Sequence, residues 1–182
     1  MPRWALHQKG SSTGDHPLRV MIRRVENENL LMKTNVIIRV ATPSEQKDLE
    51  ALQLRASLTN ERDREALLAN PDAIAIPQEQ IAAGRVFVAE LDGTTVGFSA
   101  IEPRHDGETE LDALFVDPDA RKQGIGRLMV EHCAGVARQR GSKALHVIGN
   151  PHAEEFYIAC GFKQIGTTGT RFGPGLLMCK EV

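Results

Sequence analysis

The stretch that decides the fold reads LFVDPDARKQGIGRL and runs from Leu114 to Leu128. An apolar strand pattern ends at Asp117-Pro118, an Arg-x-x-Gly-x-Gly turn covers residues 121–126, and a helical pattern follows directly. A glycine-rich turn at the start of a helix exposes unpaired backbone N–H groups and the positive end of the helix dipole. Because both features attract anions, the turn is a candidate site for a phosphate-bearing ligand.

Length, charge and cysteine content exclude several classes of protein. A chain of 182 residues favours one domain with a core large enough to fold without disulfides. With 22 basic and 24 acidic residues, the net charge of −2 gives no reason to expect nucleic acid or a membrane surface as a partner. The three cysteines lack metal-ligand spacing, and no apolar run approaches the roughly 18 residues of a membrane span. We therefore expect a reduced, cytoplasmic protein with no metal.

Residues 1–35 differ in character from the rest of the chain. They contain the run GSSTG at residues 10–14 and scattered basic residues, without the apolar core of a secretory signal. We expect a poorly ordered tail over residues 1–35, followed by one domain over residues 36–182.

Apolar periodicity and turn signals predict the elements of that domain. A capping-box pattern from Thr42 to Glu45 begins a helix that should end near Leu58. Asp92-Gly93 lies between two apolar runs and predicts a β-hairpin. An amphipathic helix is expected from Ile125 to about Gly141, and a shorter one after Asn150. Strands are expected at 36–40, 85–91, 94–102, 109–116, 144–148, 162–166 and 176–180, with short helices within 61–83. This order indicates an α+β or α/β layered fold with a mixed sheet.

Two other interpretations of the glycine turn fail on particular residues. A P-loop requires Gly-Lys-Ser/Thr, which does not follow Gly126. The dinucleotide fingerprint requires a third glycine where this chain has Met129. A simple tight turn without a ligand remains open on this segment alone.

Two longer segments carry a resemblance to a known family. LFVDPDARKQGIGRLMVEH, from Leu114, resembles the acetyl-CoA-binding motif of the GNAT superfamily of N-acetyltransferases. ALHVIGNPHAEEFYIACGF, from Ala144, is similar to the second signature of that family, in the family's order and separation. The agreement covers about four-fifths of the chain. It implies a single domain with a GNAT-like mixed, mostly antiparallel sheet of six to seven strands, flanked by about four helices.

The resemblance places the acetyl-CoA site on two segments. Leu114, Phe115 and Val116 would pair with pantetheine through their backbone, on a strand edge exposed by a β-bulge. The pyrophosphate would be bound by turn residues that offer backbone N–H groups, namely Lys122, Gln123, Gly124, Ile125, Gly126 and Arg127. Asn150 matches a cofactor contact and suits a helix N-cap equally well.

The resemblance also suggests which residues carry the chemistry. Tyr157, the single tyrosine, matches the position of a general acid that faces the thiol, although a core aromatic is the alternative. Glu110 resembles the position of a carboxylate base, and Asp112 would share its face in a regular strand. His146 or a water molecule remains an alternative base. Cysteines 133 and 160 lie on apolar helix faces, where a thiol is usually inert, which favours direct transfer without an acyl-enzyme.

The expected activity is therefore transfer of an acetyl group from acetyl-CoA to a primary amine of a small molecule or peptide. Five acidic residues between Glu102 and Asp112 favour a cationic amine. A non-catalytic CoA-binding or regulatory module with the same fold is one alternative. A nucleotide-binding protein that uses the same turn is another. A homodimer, paired through sheet edges or helices, is open beside a monomer.

Overall fold

The computed structural model describes residues 21–25, 34–59, 64 and 69–182 of the chain. Its strands are β1 (Met21–Val25), β2 (Thr34–Val40), β3 (Val86–Leu91), β4 (Thr94–Pro103), β5 (Thr109–Val116), β6 (Ala144–Gly149), β7 (Lys163–Thr170) and β8 (Gly173–Glu181). They form one sheet in the spatial order β1-β2-β3-β4-β5-β6-β8-β7. Neighbouring strands run antiparallel except β5 and β6, which are parallel.

Helices cover both faces of this sheet. Within the described ranges the α-helices are α1 (Gln46–Ser57), α2 (Gln78–Ala82), α3 (Ile125–Gln139) and α4 (Glu154–Ala159). The first two pack on one face, where Leu49 and Ile81 join a cluster around Phe98. The last two pack on the other face, where Met129 and Tyr157 lie in a larger cluster. None of the helices in these ranges combines the length and apolar character needed to cross a membrane.

The fold class expected from the sequence is confirmed. Strands β2 to β8 form a mixed, mostly antiparallel sheet, and the four α-helices complete the single domain. An eighth strand, β1, adds to the edge beside β2. The expected tail covers residues 1–35, of which 1–20 and 26–33 lie outside the described residues. The division into tail and domain therefore stays a prediction.

Side chains from the β4–β5 turn hold β5 and β6 together where both strands begin. Glu108 accepts hydrogen bonds from the backbone N–H groups of Lys143 (2.8 Å) and Ala144 (2.7 Å). Beside it, the hydroxyls of Thr109 and Ser142 form a buried hydrogen bond of 2.7 Å. Buried polar groups that satisfy each other are costly to separate, so this end of the strand pair stays closed.

A cluster around Arg39 joins β2, β3 and the start of α1. The guanidinium Nη2 lies 2.8 Å from Oε1 of Glu45 and 2.6 Å from Oε1 of Glu90. Glu45 also accepts a hydrogen bond of 2.7 Å from the backbone N–H of Thr42, as the capping-box pattern predicts. The cluster therefore ties the entry of α1 to the sheet.

We expect Glu45→Gln to destabilise the protein at neutral pH but much less in acid. The hydrogen bond from Arg39 is the main reason that the pKa of Glu45 falls from 4.5 to about 2. A carboxyl group with a lowered folded-state pKa stabilises the fold above its unfolded pKa, and this stabilisation is lost as the pH falls through the folded value. For a partly exposed pair the loss should be about 1 kcal/mol at pH 7.

Urea unfolding of both proteins from pH 7 to pH 3 measures this difference, which should shrink below about pH 4.5. The matched control is Glu79→Gln, an exposed residue of α2 that should change stability little at any pH. A difference that stays constant with pH would show that Glu45 does not act through its charge.

Candidate active site

The two parallel strands β5 and β6 separate after a short paired segment. Thr109, Glu110 and Leu111 pair with Leu145, His146 and Val147. Beyond Leu111, β5 keeps β4 on its other side and β6 keeps β8. The edge of residues 112–116 that faces β6 therefore has no strand partner in the described part of the chain. We call the opening between residues 112–116 and residues 148–150 the β5–β6 cleft.

Contacts on opposite faces of the sheet hold this cleft open. Where β5 ends, the carboxylate of Asp117 accepts a hydrogen bond of 2.8 Å from Arg55 of α1. The guanidinium of Arg121 donates to the carbonyl of Ala56, also in α1, at 2.9 Å. Where β6 ends, Gly149 lies against the ring of Tyr157 on the other face. The two strand ends are thus drawn toward different layers.

A β-bulge interrupts β5 at Asp112. Ala113 lies opposite Ala100 of β4 and Leu111 lies opposite Ile101, so Asp112 is an extra residue on β5. Its carboxylate accepts a hydrogen bond of 3.0 Å from Gln80 of α2. The strand is therefore not regular between Glu110 and Asp112, and the hydrogen bond from Gln80 fixes the carboxylate of Asp112 toward α2.

The glycine turn places the uncapped N-terminus of α3 at the open end of the cleft. Lys122 and Gly124 both have left-handed backbone angles, with φ of 62° and 79°. The first helical hydrogen bond of α3 runs from the N–H of Leu128 to the carbonyl of Gly124, at 3.1 Å. No side chain caps this end of the helix, so the N–H groups of residues 125–127 remain available to an anion.

Different structural requirements explain the two glycines of the turn. Gly124 needs its positive φ, and nothing lies within 4 Å of an added Cβ. Gly126 lies close to Phe156 of the neighbouring helix. An added Cβ would therefore lie only 3.2 Å from the ring atom Cζ. Close packing of α3 on α4 is a reason for this glycine that the sequence motif did not reveal.

Tyr157 is a core aromatic with a hydroxyl group that stays available. Its ring packs edge-on against Phe156 and Phe162, with centroids 5.2 Å and 5.5 Å apart. The residue is 9% exposed, and within the described residues its hydroxyl makes no hydrogen bond. Burial raises the pKa of Tyr157 to about 12, so the phenol stays protonated throughout the neutral range.

Asn150 occupies the position that links β6 to the next helical segment. Its side-chain oxygen accepts a hydrogen bond of 3.0 Å from the backbone N–H of His152. It is the N-cap of the short 3₁₀ turn Pro151–Ala153, which leads into α4. The N-cap interpretation is therefore confirmed, while a contact with a cofactor stays a prediction.

A cavity of about 100 Å³ lies on the α1 face, where the paired part of β5 and β6 meets β8. Arg104, Glu110 and His146 are among its lining residues, and Arg104 binds Glu110 at 3.3 Å. Arg104 also binds Asp106 at 2.9 Å, so two carboxylates share one guanidinium. Sequence reasoning missed Arg104, because a single cation in an acidic hairpin looks like any solvated charge.

The buried cysteines do not act in this cavity. Cys133 of α3 is fully buried and donates a hydrogen bond to Ser99 at 3.3 Å. Burial raises the pKa of its thiol to about 12 and also raises the pKa of Cys160. Neither thiol is therefore a ready nucleophile at neutral pH. The described residues also contain no group of three or more side chains arranged to hold a metal ion.

The profile of the acetyltransferase (GNAT) family matches residues 52–162, a segment that holds the cleft, the glycine turn and Tyr157. The chain belongs to this family. The resemblance seen in the two sequence signatures is thereby confirmed.

Several curated relatives of this GNAT protein carry N-acetyltransferase names. It is 38% identical over 71 residues to the peptidyl-lysine N-acetyltransferase YjaB of Escherichia coli, which is 39% of this chain and 44% of the relative. An uncharacterised N-acetyltransferase of Methanocaldococcus jannaschii is 35% identical over 89 residues, which is 43% of this chain and 38% of the relative. The 5-NmdU N-acetyltransferase of Pseudomonas phage PaMx11 is 26% identical over 80% of this chain and 99% of its own length. The chain thus spans less than half of the first two relatives.

Solved structures share the fold of the GNAT protein over most of its length. PaiA N-acetyltransferase from Thermoplasma acidophilum, in complex with coenzyme A, has a TM-score of 0.68 at 17% identity. The match covers 81% of this chain and 99% of that one. The apo solution structure of YjaB from Escherichia coli has a TM-score of 0.61 at 26% identity, covering 79% and 96% of the two chains.

Gly149→Ala should destabilise the protein by about 1–3 kcal/mol through overpacking. An added Cβ would lie 3.0 Å from the Tyr157 ring atom Cε2, and the rings of Phe156 and Phe162 limit how far that ring can move. Urea unfolding measures the effect. The control is Gly169→Ala on β7, where nothing lies within 4 Å of an added Cβ and stability should be unchanged or slightly higher. Equal behaviour of the two variants would contradict the tight contact.

Proposed function

We propose that the protein transfers the acetyl group of acetyl-CoA directly to a primary amine of a small molecule or peptide, within a ternary complex. The observation that carries the proposal is the continuity between the unpaired edge of β5 and the uncapped N-terminus of α3. One backbone surface thereby offers a strand edge for an amide-bearing arm and N–H donors for a diphosphate. Coenzyme A carries these two groups in that order, and the PaiA structure from the same fold holds it.

The donor site uses backbone atoms and leaves the side chains to pack. Leu114 and Val116 pack against the α3 side of the core, and Phe115 packs against the α1 side. Their N–H and carbonyl groups on the cleft side are the proposed partners of pantetheine. The proposed pyrophosphate ligands are the N–H groups from Lys122 to Arg127, with Asn150 at the opposite wall of the cleft.

The transfer requires three proton movements. The ammonium form of a primary amine has a pKa of about 10, so the group must lose one proton before its nitrogen can form the new bond to the acetyl carbon, and the nitrogen loses a second proton as the amide forms. As that C–N bond forms, the C–S bond breaks, and the departing thiolate takes up a proton. Tyr157 is the proposed donor of that proton, because its buried phenol is protonated and its hydroxyl has no partner among the described residues.

Glu110 is the proposed base, acting directly or through a water molecule. It lies in the last paired segment before the cleft opens, and it faces the cavity together with His146. Arg104 fixes the carboxylate by its ion pair of 3.3 Å. His146 lines the same cavity and is the alternative base, whereas Asp112 is bound by Gln80.

The names of two relatives support an amine as the class of acceptor. YjaB is named for peptidyl lysine, and the phage relative is named for 5-NmdU. Both names specify transfer of the acetyl group to nitrogen. We therefore propose a primary amine as the shared requirement.

A non-catalytic CoA-binding module is a second candidate. The ion pair between Arg104 and Glu110 favours it, because the contact of 3.3 Å occupies one oxygen of the carboxylate that would have to accept the proton of the amine. Turnover separates the two candidates. A protein that binds acetyl-CoA but releases no CoA in the presence of any amine would be the module.

Gln123→Glu should weaken acetyl-CoA binding by about fivefold, since a negative charge beside the N-terminus of α3 repels a diphosphate. Titration calorimetry measures the dissociation constant. Gln139→Glu, at another exposed glutamine at the opposite end of the same helix, is the matched control and should bind normally. Equal affinities would place the diphosphate elsewhere.

Tyr157→Phe should lower kcat by about a hundredfold, because the ring keeps its packing but the proton donor is lost. The dissociation constant of acetyl-CoA and the urea midpoint should both stay near their original values. Release of CoA at saturating amine measures kcat. An unchanged kcat would remove Tyr157 from the mechanism.

A further inference from the structure

Residues 70–76, which we call the strap, lie along α1 and are fastened to it by hydrogen bonds. The side-chain amide of Gln53 donates to the carbonyl of Ala73 at 3.2 Å. Farther along the strap, the side-chain amide of Gln46 donates to the carbonyl of Ile76 at 2.6 Å. Because α1 packs on β4 and β5, these bonds place the strap on the β5 side of the β5–β6 cleft.

The turn between β7 and β8 projects past the end of β6 as a two-stranded ribbon. The pairing of β8 with β6 begins at Leu176. In the described part of the chain, residues 168–175, which we call the ribbon, therefore pair only with each other. An isolated pair of strands is marginally stable in water. The base of the ribbon is fixed where Gly175 lies against Ile148 of β6, since an added Cβ would lie 2.7 Å from the Ile148 atom Cγ2.

An arginine at the tip of the ribbon binds the strap. The guanidinium of Arg171 donates to both carboxylate oxygens of Asp72, at 2.7 Å and 2.9 Å. It also donates to the side-chain oxygen of Asn70 at 2.5 Å. A bidentate contact of this kind fixes direction as well as distance. Because β8 and β7 lie beyond β6 in the sheet, the link between strap and ribbon crosses the β5–β6 cleft on the α1 face.

We propose that the link between Asp72 and Arg171 restricts by width the groups that reach the cavity beside Glu110. The inference rests on the proposed acetyl transfer, whose acceptor must approach Glu110 on the α1 face. Ile148, at the base of the ribbon, lines that same cavity, so the strap and the ribbon stand at its edge. A slender group passes between them and the sheet, whereas a wide group meets the link. Asp72 and Arg171 thereby determine specificity without touching either reactant.

The link is a restraint that opens readily. The side chains of Arg171 and Asp72 are 46% and 68% exposed, and an ion pair in contact with water contributes little to stability. We therefore expect the closed arrangement to disfavour wide groups by about fivefold rather than to exclude them.

A cysteine at the base of the ribbon measures this access without any assumption about the reaction. Ile148→Cys, in a chain that also carries Cys179→Ser, places a thiol in the cavity, while Cys133 and Cys160 stay buried. N-methylmaleimide and N-pyrenylmaleimide carry the same reactive group on a slender and on a wide neutral body. Loss of the link should raise the rate constant of the pyrenyl reagent about fivefold and leave that of the methyl reagent unchanged. Peptide mass spectrometry identifies the labelled residue.

Two substitutions in that background break the link and alter the net charge in opposite directions. Asp72→Asn removes a negative charge and Arg171→Gln removes a positive one, so a common effect reports the link and not the charge. The exchanged pair, Asp72→Arg with Arg171→Asp, should restore the original ratio of the two rate constants. Asp48→Asn, at an exposed aspartate of α1, is the matched control and should change neither rate constant.

The labelling and the binding of acetyl-CoA test different proposals. An unchanged rate for the pyrenyl reagent, or a rise in only one of the two variants, would overturn the inference about the link. A parallel rise for both reagents would also overturn it, because it would show a general loss of packing. Titration calorimetry on the unaltered chain measures acetyl-CoA binding, and failure to bind would overturn the proposed function while the labelling result stands.

Discussion

Strands β5 and β6 are fastened at one end and drawn apart at the other. At the closed end, Glu108 binds two backbone N–H groups at the start of β6, and Thr109 binds Ser142 in the interior. At the open end, Arg55 and Arg121 bind the β5 terminus to α1, while the β6 terminus packs against α4. A parallel pair with both restraints must leave part of an edge unpaired. The candidate active site is built on that edge.

The proposed recognition through backbone atoms would leave the side chains of the cleft free to stabilise the fold. Phe115 stacks on Phe98 of the adjacent strand with ring centroids 5.4 Å apart, and Leu114 packs in the opposite layer. The same residues can therefore belong to two hydrophobic clusters and still present N–H and carbonyl groups to a ligand. Polar side chains meet instead beside the paired part of β5, where Arg104 binds Glu110.

Local sequence patterns predicted the elements but not the contacts between them. The hairpin at Asp92-Gly93 and the helix after Gly124 appear where expected, because turn chemistry and periodicity are properties of short segments. The ion pair of Arg55 with Asp117 joins residues 62 positions apart, and no local pattern indicates it. The position of the bulge was equally hidden, since it depends on the register between β4 and β5. Packing of Gly126 on Phe156 explains a motif glycine through a neighbour that only the folded chain brings close.

The extra residue at Asp112 determines how β5 is able to change in evolution. Side chains alternate along a strand, but Asp112 and Ala113 follow each other on the face that α1 and α2 cover. Deletion of Asp112 would therefore leave a regular strand with all the other side chains on their present faces. An inserted residue would instead reverse the faces on one side of it, so that Phe115 would leave its stack on Phe98 or Glu110 would turn into the core beside Leu111. The segment Thr109–Val116 can therefore lose its extra residue, whereas a gain of one would disrupt the core.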